Sequence, residues 1–164
     1  MKRLVPLRRK YQKQRGVTAI EFAILFPVFF SILYGLIQYG MIFAAQQTLT
    51  LAAEEGARAA LQYQYADGTA SGSLTARAKV AQTACAGTVG WLATMSGVST
   101  STICTATVPA SSSCPNTSMY CVQASASFPY STNPLIPTIS LLKWAVPSSL
   151  GNTATVQLDP ANIV

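Results

Sequence analysis

The sequence predicts an α+β protein, in which a long N-terminal transmembrane and stalk helix precedes a small head with one helix packed on an antiparallel sheet of about three strands. Three observations predict this fold. No charged side chain occurs between Phe22 and Ala45. Farther along, the spacing of apolar residues changes from three and four to two. All four cysteines lie in the second part of the chain. We therefore divide the chain into a basic leader at residues 1–16, a transmembrane and stalk helix at 17–65, and a head at 66–164.

The leader carries most of the positive charge. The chain has 11 Lys and Arg residues and a net charge of +6. Those before Gly16 are Lys2, Arg3, Arg8, Arg9, Lys10, Lys13 and Arg15. Such a cluster can bind nucleic acid, but basic residues directly before an apolar run are typical of the cytoplasmic flank of a membrane helix. We therefore expect no nucleic-acid partner, a cytoplasmic N-terminus, and an extracytoplasmic location for the residues after Ala45.

The uncharged run is long enough to cross a bilayer. At 1.5 Å per residue it spans about 36 Å, against a hydrocarbon core of ~30 Å. The next stretch, 46–61, is rich in alanine and lacks proline, and Glu54 stands four residues before Arg58, the favourable order for a helical ion pair. We predict one helix from about Val17 to Leu61 or a little beyond, bent at Pro27.

Glu21 lies in an unfavourable place, directly before the uncharged run. A charge at the centre of a membrane costs at least ~2.5–3.5 kcal/mol, and less near the edge. The carboxylate either reaches the interface and has no further role, or it has a function. Its neighbours favour a function, because Gly16 precedes it by five residues and Phe22 follows it.

This arrangement resembles the processing site of type IV prepilins and pseudopilins. Gly16 matches the residue before the cut, Val17 the new N-terminus, Glu21 the fifth residue of the mature chain, and Phe22 the aromatic sixth. The resemblance implies a pilin-like fold and cleavage after Gly16 by a prepilin peptidase. It also implies that the new amine of Val17 pairs with Glu21 of a neighbouring subunit and guides assembly.

A closer resemblance is to TadE-like minor pseudopilins of tight-adherence, or Flp-type, pilus systems. It rests on GVTAIEFAILFPV, which begins at Gly16, and on AAEEGARAA, which ends at Ala60. Pro27, six residues after the glutamate, is typical of that group and joins Val17 and Glu21 as a predicted assembly residue. The resemblance implies four partners: membrane lipid, the prepilin peptidase, other pilins or pseudopilins, and an inner-membrane pilus assembly platform. It places the chain in the bacterial inner membrane, or in the pilus itself, with the head periplasmic or extracellular.

The head begins after a polar stretch, 64–73, in which Asp67 and Gly68 indicate a turn. A second helix is predicted from Leu74 to about Met95. Its apolar face consists of Leu74, Ala78, Ala81, Cys85, Thr88 and Leu92. Strands are predicted at Val98–Val108, Met119–Tyr130 and Asn152–Leu158. In the second of these, one face holds Tyr120, Val122, Ala124, Ala126 and Phe128.

The region 129–150 contains four prolines, so it cannot be a regular central strand. It is also too apolar for an ordinary exposed loop. Its large apolar residues are Leu135, Ile136, Ile139, Leu141, Leu142 and Trp144. This segment covers the sheet, contacts a neighbouring subunit or touches the membrane surface, and the sequence leaves these three alternatives open.

The four cysteines predict two disulfides, because their number is even and their compartment is oxidising. Of the three possible pairings we favour Cys114–Cys121, which closes a short loop, and Cys85–Cys104, which ties helix to sheet. A zinc site is disfavoured, since no C-x-x-C pair and no histidine are present. We expect no metal and no cofactor.

Two functions compete. The first is a minor pseudopilin processed after Gly16, and the second is an uncleaved bitopic protein whose head is a scaffold or binding module in a secretion machine. Only the first requires the charge of Glu21. An enzyme is disfavoured, because Asp67 and Asp159 are the head's only carboxylates and no nucleophile–base pair, phosphate loop or dinucleotide fingerprint occurs.

Overall fold

The computed structural model describes residues 16–62, 68–138 and 140–163. The predicted basic leader before Gly16, Asp67 of the predicted turn, and Ile139 lie outside the described residues. The chain forms two compact units, Met1–Ile37 and Gln38–Val164. The helices are α1 Val17–Ala60, α2 Ala70–Thr88, α3 Gly90–Ser96 and α4 Thr100–Ile103, and the strands are β1 Cys104–Thr107, β2 Tyr120–Phe128 and β3 Leu150–Leu158. Short 3-10 helices occupy Ser111–Ser113, Ser140–Ala145 and Pro160–Asn162. The predicted α+β fold, a long apolar helix before a head of helices on a three-stranded antiparallel sheet, is confirmed.

The first part of α1, Val17–Ile37, presents its apolar side chains outward, and Phe22, Leu25 and Leu36 are among the most exposed. The helix is long and apolar enough to cross a membrane, by length and composition. It continues through Pro27, and the Ser31 hydroxyl donates to the Pro27 carbonyl oxygen at 2.7 Å. The bend expected at Pro27 stays a prediction.

The second part of α1 is a core element of the head. Its buried residues are Gln38, Ile42, Ala45, Leu49, Ala52, Ala53, Gly56, Ala57, Ala59 and Ala60. Most of these are small, so other elements can pack close to the helix axis. The uncharged run therefore ends inside the head, and the outward-facing part of the helix is 17–37. At 1.5 Å per residue this segment is about 32 Å long, close to the ~30 Å hydrocarbon core.

The predicted second helix begins earlier than expected and is divided in two. Its first turn is capped by the Thr69 hydroxyl, which accepts from the Gly72 N–H at 3.1 Å. Val89 separates α2 from α3 and is fully buried. A β-branched residue followed by Gly90 lowers helix propensity, so the packing of Val89 decides where the helix breaks.

The prediction of a strand from Val98 onward was wrong for its first residues. Thr100–Ile103 form the single turn α4, and β1 starts only at Cys104. The Ser99 carbonyl accepts from the Ile103 N–H at 3.2 Å, and Ile103 is buried in the core. The β propensity of threonine and isoleucine is context-dependent, and tertiary packing overrides it here.

The sheet has the order β1-β2-β3, with both neighbours antiparallel to the central β2. Ala124 of β2 lies opposite Ala106 of β1 and Ala154 of β3. The predicted alternation along β2 is confirmed: Val122, Ala124, Ala126 and Phe128 are buried and Tyr120 is half-buried. On the other face Cys121 is also buried, because it forms a disulfide.

Candidate functional site

The bond between Gly16 and Val17, at which processing is predicted, lies where a turn meets the first residue of α1. Both residues are exposed. A Cβ atom built on Gly16 would meet no atom of the described chain within 4 Å. No described residue therefore hinders approach to this backbone from outside, as proteolysis would require.

Glu21 stands four residues after Val17 in α1, so the two residues lie on one helix face about 6 Å apart along the axis. Glu21 is exposed, and within the described residues it forms no ion pair. In the intact chain Val17 contributes an amide nitrogen, which carries no charge. A positive charge on the Val17 nitrogen itself arises only if the bond to Gly16 is cut.

Phe22 begins an aromatic row that the sequence analysis missed. Its ring centroid lies 5.4 Å from that of Phe26, Phe26 lies 6.0 Å from Phe30, and Phe30 lies 6.3 Å from Tyr34. The spacing of four residues would have revealed this row, because residues i and i+4 are neighbours on a helix. The row gives one side of the apolar segment a continuous aromatic surface.

Pro27 lies within the same segment and has no N–H to donate to the Ala23 carbonyl one turn earlier. Of the four residues predicted for processing, Val17, Glu21 and Phe22 thus lie in the first turns of α1 together with Pro27, and Gly16 directly precedes the helix. Their roles remain predictions.

The cysteines form the two disulfides that we favoured. Cys85 of α2 is bonded to Cys104, the first residue of β1, and Cys114 is bonded to Cys121 of β2. All four are buried. Within residues 16–62, 68–138 and 140–163, no group of three or more His, Cys, Asp or Glu could hold a metal ion.

Arg77 caps the C-terminal end of α1, a role that the sequence analysis did not predict. Its side chain is buried, and its Nη1 donates to the carbonyl oxygens of Ala60, Leu61 and Gln62 at 3.0, 3.2 and 2.9 Å. The sequence periodicity could not identify Arg77 as a buried residue, because that pattern selects only apolar residues as the buried face of a helix.

The predicted ion pair between Glu54 and Arg58 was wrong. Arg58 Nη1 instead lies 3.4 Å from Glu55 Oε1, three residues away. Spacings of three and four both bring helical side chains together, so the choice between adjacent glutamates depends on rotamers and not on the sequence pattern.

Comparison with protein-family models gives one finding for the helix. The model described as "TadE-like protein" matches residues 16–58. This range begins at the predicted processing glycine and covers nearly all of α1. Comparisons with curated proteins and with solved structures gave no significant match. The resemblance drawn from the sequence is therefore confirmed: residues 16–58 form a TadE-like segment.

Proposed function

We propose that the protein is a minor pseudopilin, or pilus assembly protein, which a prepilin peptidase processes after Gly16 and which acts in the biogenesis of a Tad-type pilus. Its first segment, Val17–Ile37, anchors it in the inner membrane with the N-terminus in the cytoplasm. The disulfide-bonded head lies on the other side.

One observation carries this proposal. An exposed Gly16–Val17 bond, a carboxylate one turn later and an outward-facing apolar helix all occur within the segment that matches the TadE-like family. A plain membrane anchor needs only the apolar helix. A pseudopilin also needs a cleavable bond and a charged residue that sets the subunit register.

The chemistry of assembly follows from the cut. Cleavage creates an amine on Val17 that is cationic near neutral pH. In lipid, Glu21 without a partner is penalised, and an ion pair with the Val17 amine of a neighbouring subunit relieves that penalty. We propose other pilins or pseudopilins, the assembly platform and membrane lipid as partners. The head then has a structural role and no enzymatic one.

The experiment is to determine the N-terminal residue of the protein purified from its native membrane, by intact mass and N-terminal peptide mapping. A mature chain that starts at Val17 is the expected result. A chain that keeps residues 1–16, in cells with an active prepilin peptidase, would overturn the proposal. The remaining interpretation would be an uncleaved bitopic protein with a scaffold or binding head in a secretion machine.

A further inference from the structure

Trp144 is the most exposed large apolar side chain among the described residues, at 86%. It lies in the 3-10 helix Ser140–Ala145, beside the exposed Lys143. The other tryptophan, Trp91, is 37% exposed, and its indole Nε1 donates to the Thr48 hydroxyl at 3.3 Å. An indole ring as exposed as that of Trp144 is unusual on a surface that faces only water.

The backbone beside Trp144 is fixed to the rest of the head. The Tyr39 hydroxyl of α1 donates to the Ala145 carbonyl oxygen at 2.9 Å. Val146 packs against the buried core, and the Ser148 carbonyl accepts from the Ser131 N–H at 3.0 Å. The exposed indole therefore projects from an anchored segment, at a defined place near α1.

That place is close to where the apolar segment ends. Tyr39 follows Ile37, the last residue of Val17–Ile37, by two positions. The hydrogen bond to the Ala145 carbonyl oxygen therefore links the segment that bears Trp144 to the turn of α1 that directly follows Ile37. The surface of a bilayer crossed by that segment falls near Tyr39. Tryptophan, tyrosine and lysine are the residues that such a surface favours.

We propose that Lys143 and Trp144 form a lipid-docking surface that rests on the bilayer crossed by α1. The indole of Trp144 lies among the headgroups, and the ammonium of Lys143 pairs with lipid phosphates. The Tyr39–Ala145 hydrogen bond ties this surface to α1 at Tyr39. The proposal rests on the membrane anchoring of the proposed function and adds a second contact with lipid.

The test uses the full chain with Trp91→Phe, since the chain has two tryptophans and Trp144 then reports alone. The protein is reconstituted into anionic phospholipid vesicles brominated either at the headgroup end or at the tail end of the acyl chains. Both leaflets are brominated, so either orientation of the protein reports. We expect a blue-shifted Trp144 emission that loses most of its intensity with headgroup-end bromine and little with tail-end bromine. Trp144→Phe, which leaves Trp91, is the matched control and should respond to neither.

Three outcomes would overturn the proposal, and they differ in whether the proposed membrane anchoring also fails. If the vesicles carry the protein on flotation but Trp144 is quenched by iodide and not by bromine, the docking surface fails while membrane anchoring stands. If the protein does not float with the vesicles, the anchoring in the proposed function fails as well. If quenching of Trp144 by bromine falls as the protein density in the vesicles rises, a second copy of the chain covers the indole instead of lipid.

Discussion

The Nη1 atom of Arg77 lies 3.0 Å from the carbonyl oxygen of Ala60, the last residue of α1. The last carbonyls of a helix have no partner within the helix, and the helix dipole favours a cation beside them. Arg77 supplies both the hydrogen-bond donor and the charge while it is only 3% exposed. A residue of α2 thus closes the end of the helix that leads from the apolar segment into the head.

Replacing this side chain should weaken the head. We expect Arg77→Met to lower the free energy of unfolding by about 2–3 kcal/mol, because hydrogen bonds from a charged group are lost and buried carbonyls stay unpaired. Urea unfolding of the full chain in detergent micelles, in a Trp144→Phe background so that Trp91 reports alone, measures the effect. Lys79→Met on the same helix is the matched control, since Lys79 is exposed. Equal unfolding midpoints for the two variants would contradict the role given to Arg77.

Gly56 of α1 is required by close packing. A Cβ atom built there would lie 3.0 Å from both the Ala81 carbonyl oxygen and the Ala124 Cβ atom. We expect Gly56→Ala to destabilise the head by about 1–3 kcal/mol, because the added methyl group forces α2 or β2 to move. The measurement is the same urea titration.

The control for that variant lies in the same helix. A Cβ atom on Gly40 would meet no atom of the described residues within 4 Å, and alanine is favoured over glycine in a helix by about 1 kcal/mol. Gly40→Ala should therefore leave stability unchanged or raise it. If both variants lose stability equally, close packing at Gly56 is not the cause.

The two disulfides should contribute unequally. In the loop-closure treatment, the crosslink Cys85–Cys104, with a sequence separation of 19, stabilises by about 3 kcal/mol, and Cys114–Cys121, with a separation of 7, by about 2 kcal/mol. Removal of the first pair also leaves space between α2 and β1, which adds to the loss. Double Cys→Ala variants of each pair, compared by urea midpoint, test the order. A larger loss for the Cys114–Cys121 pair would contradict it.

The charge of Glu21 should matter for assembly and not for membrane insertion. If the proposed pairing with a neighbouring amine contributes about 1.4 kcal/mol, Glu21→Ala should reduce the amount of protein in sheared pili about tenfold. The variant should still enter the membrane and still be processed. Thr18→Ala, a polar change one turn earlier, is the control, and immunoblots of pilus and membrane fractions measure both. Normal incorporation of Glu21→Ala would remove the assembly role.

Local sequence patterns were sufficient to predict α1, the buried face of β2 and the pairing of the cysteines. The uncharged run and the alanine-rich stretch after it, which lacks proline, predicted α1 nearly to its last residue. The alternation along β2 predicted which of its side chains are buried. The disulfide pairing followed from a short loop and from one helix facing one strand. Each of these depends on residues close in sequence, or on one periodic face.

Sequence patterns were insufficient where contacts between segments distant in sequence decide the secondary structure. Thr100–Ile103 resemble a strand by composition, but burial of Ile103 and the link from Cys104 to Cys85 hold them in a helical turn. Val89 divides a helix that its apolar spacing predicts as one.

The sequence by itself determined that this chain has one long apolar helix with a carboxylate near its start, a glycine five residues before that carboxylate, and a disulfide-bonded head with an antiparallel sheet. Only the tertiary structure decided where that helix becomes part of the core of the head, that Arg77 caps its end, and that Trp144 is exposed. The physical reason is that periodicity records which face of an element is apolar. It does not record which other element of the chain covers that face. Contacts between elements decide that Gln38 and Arg77 are buried while Trp144 is exposed.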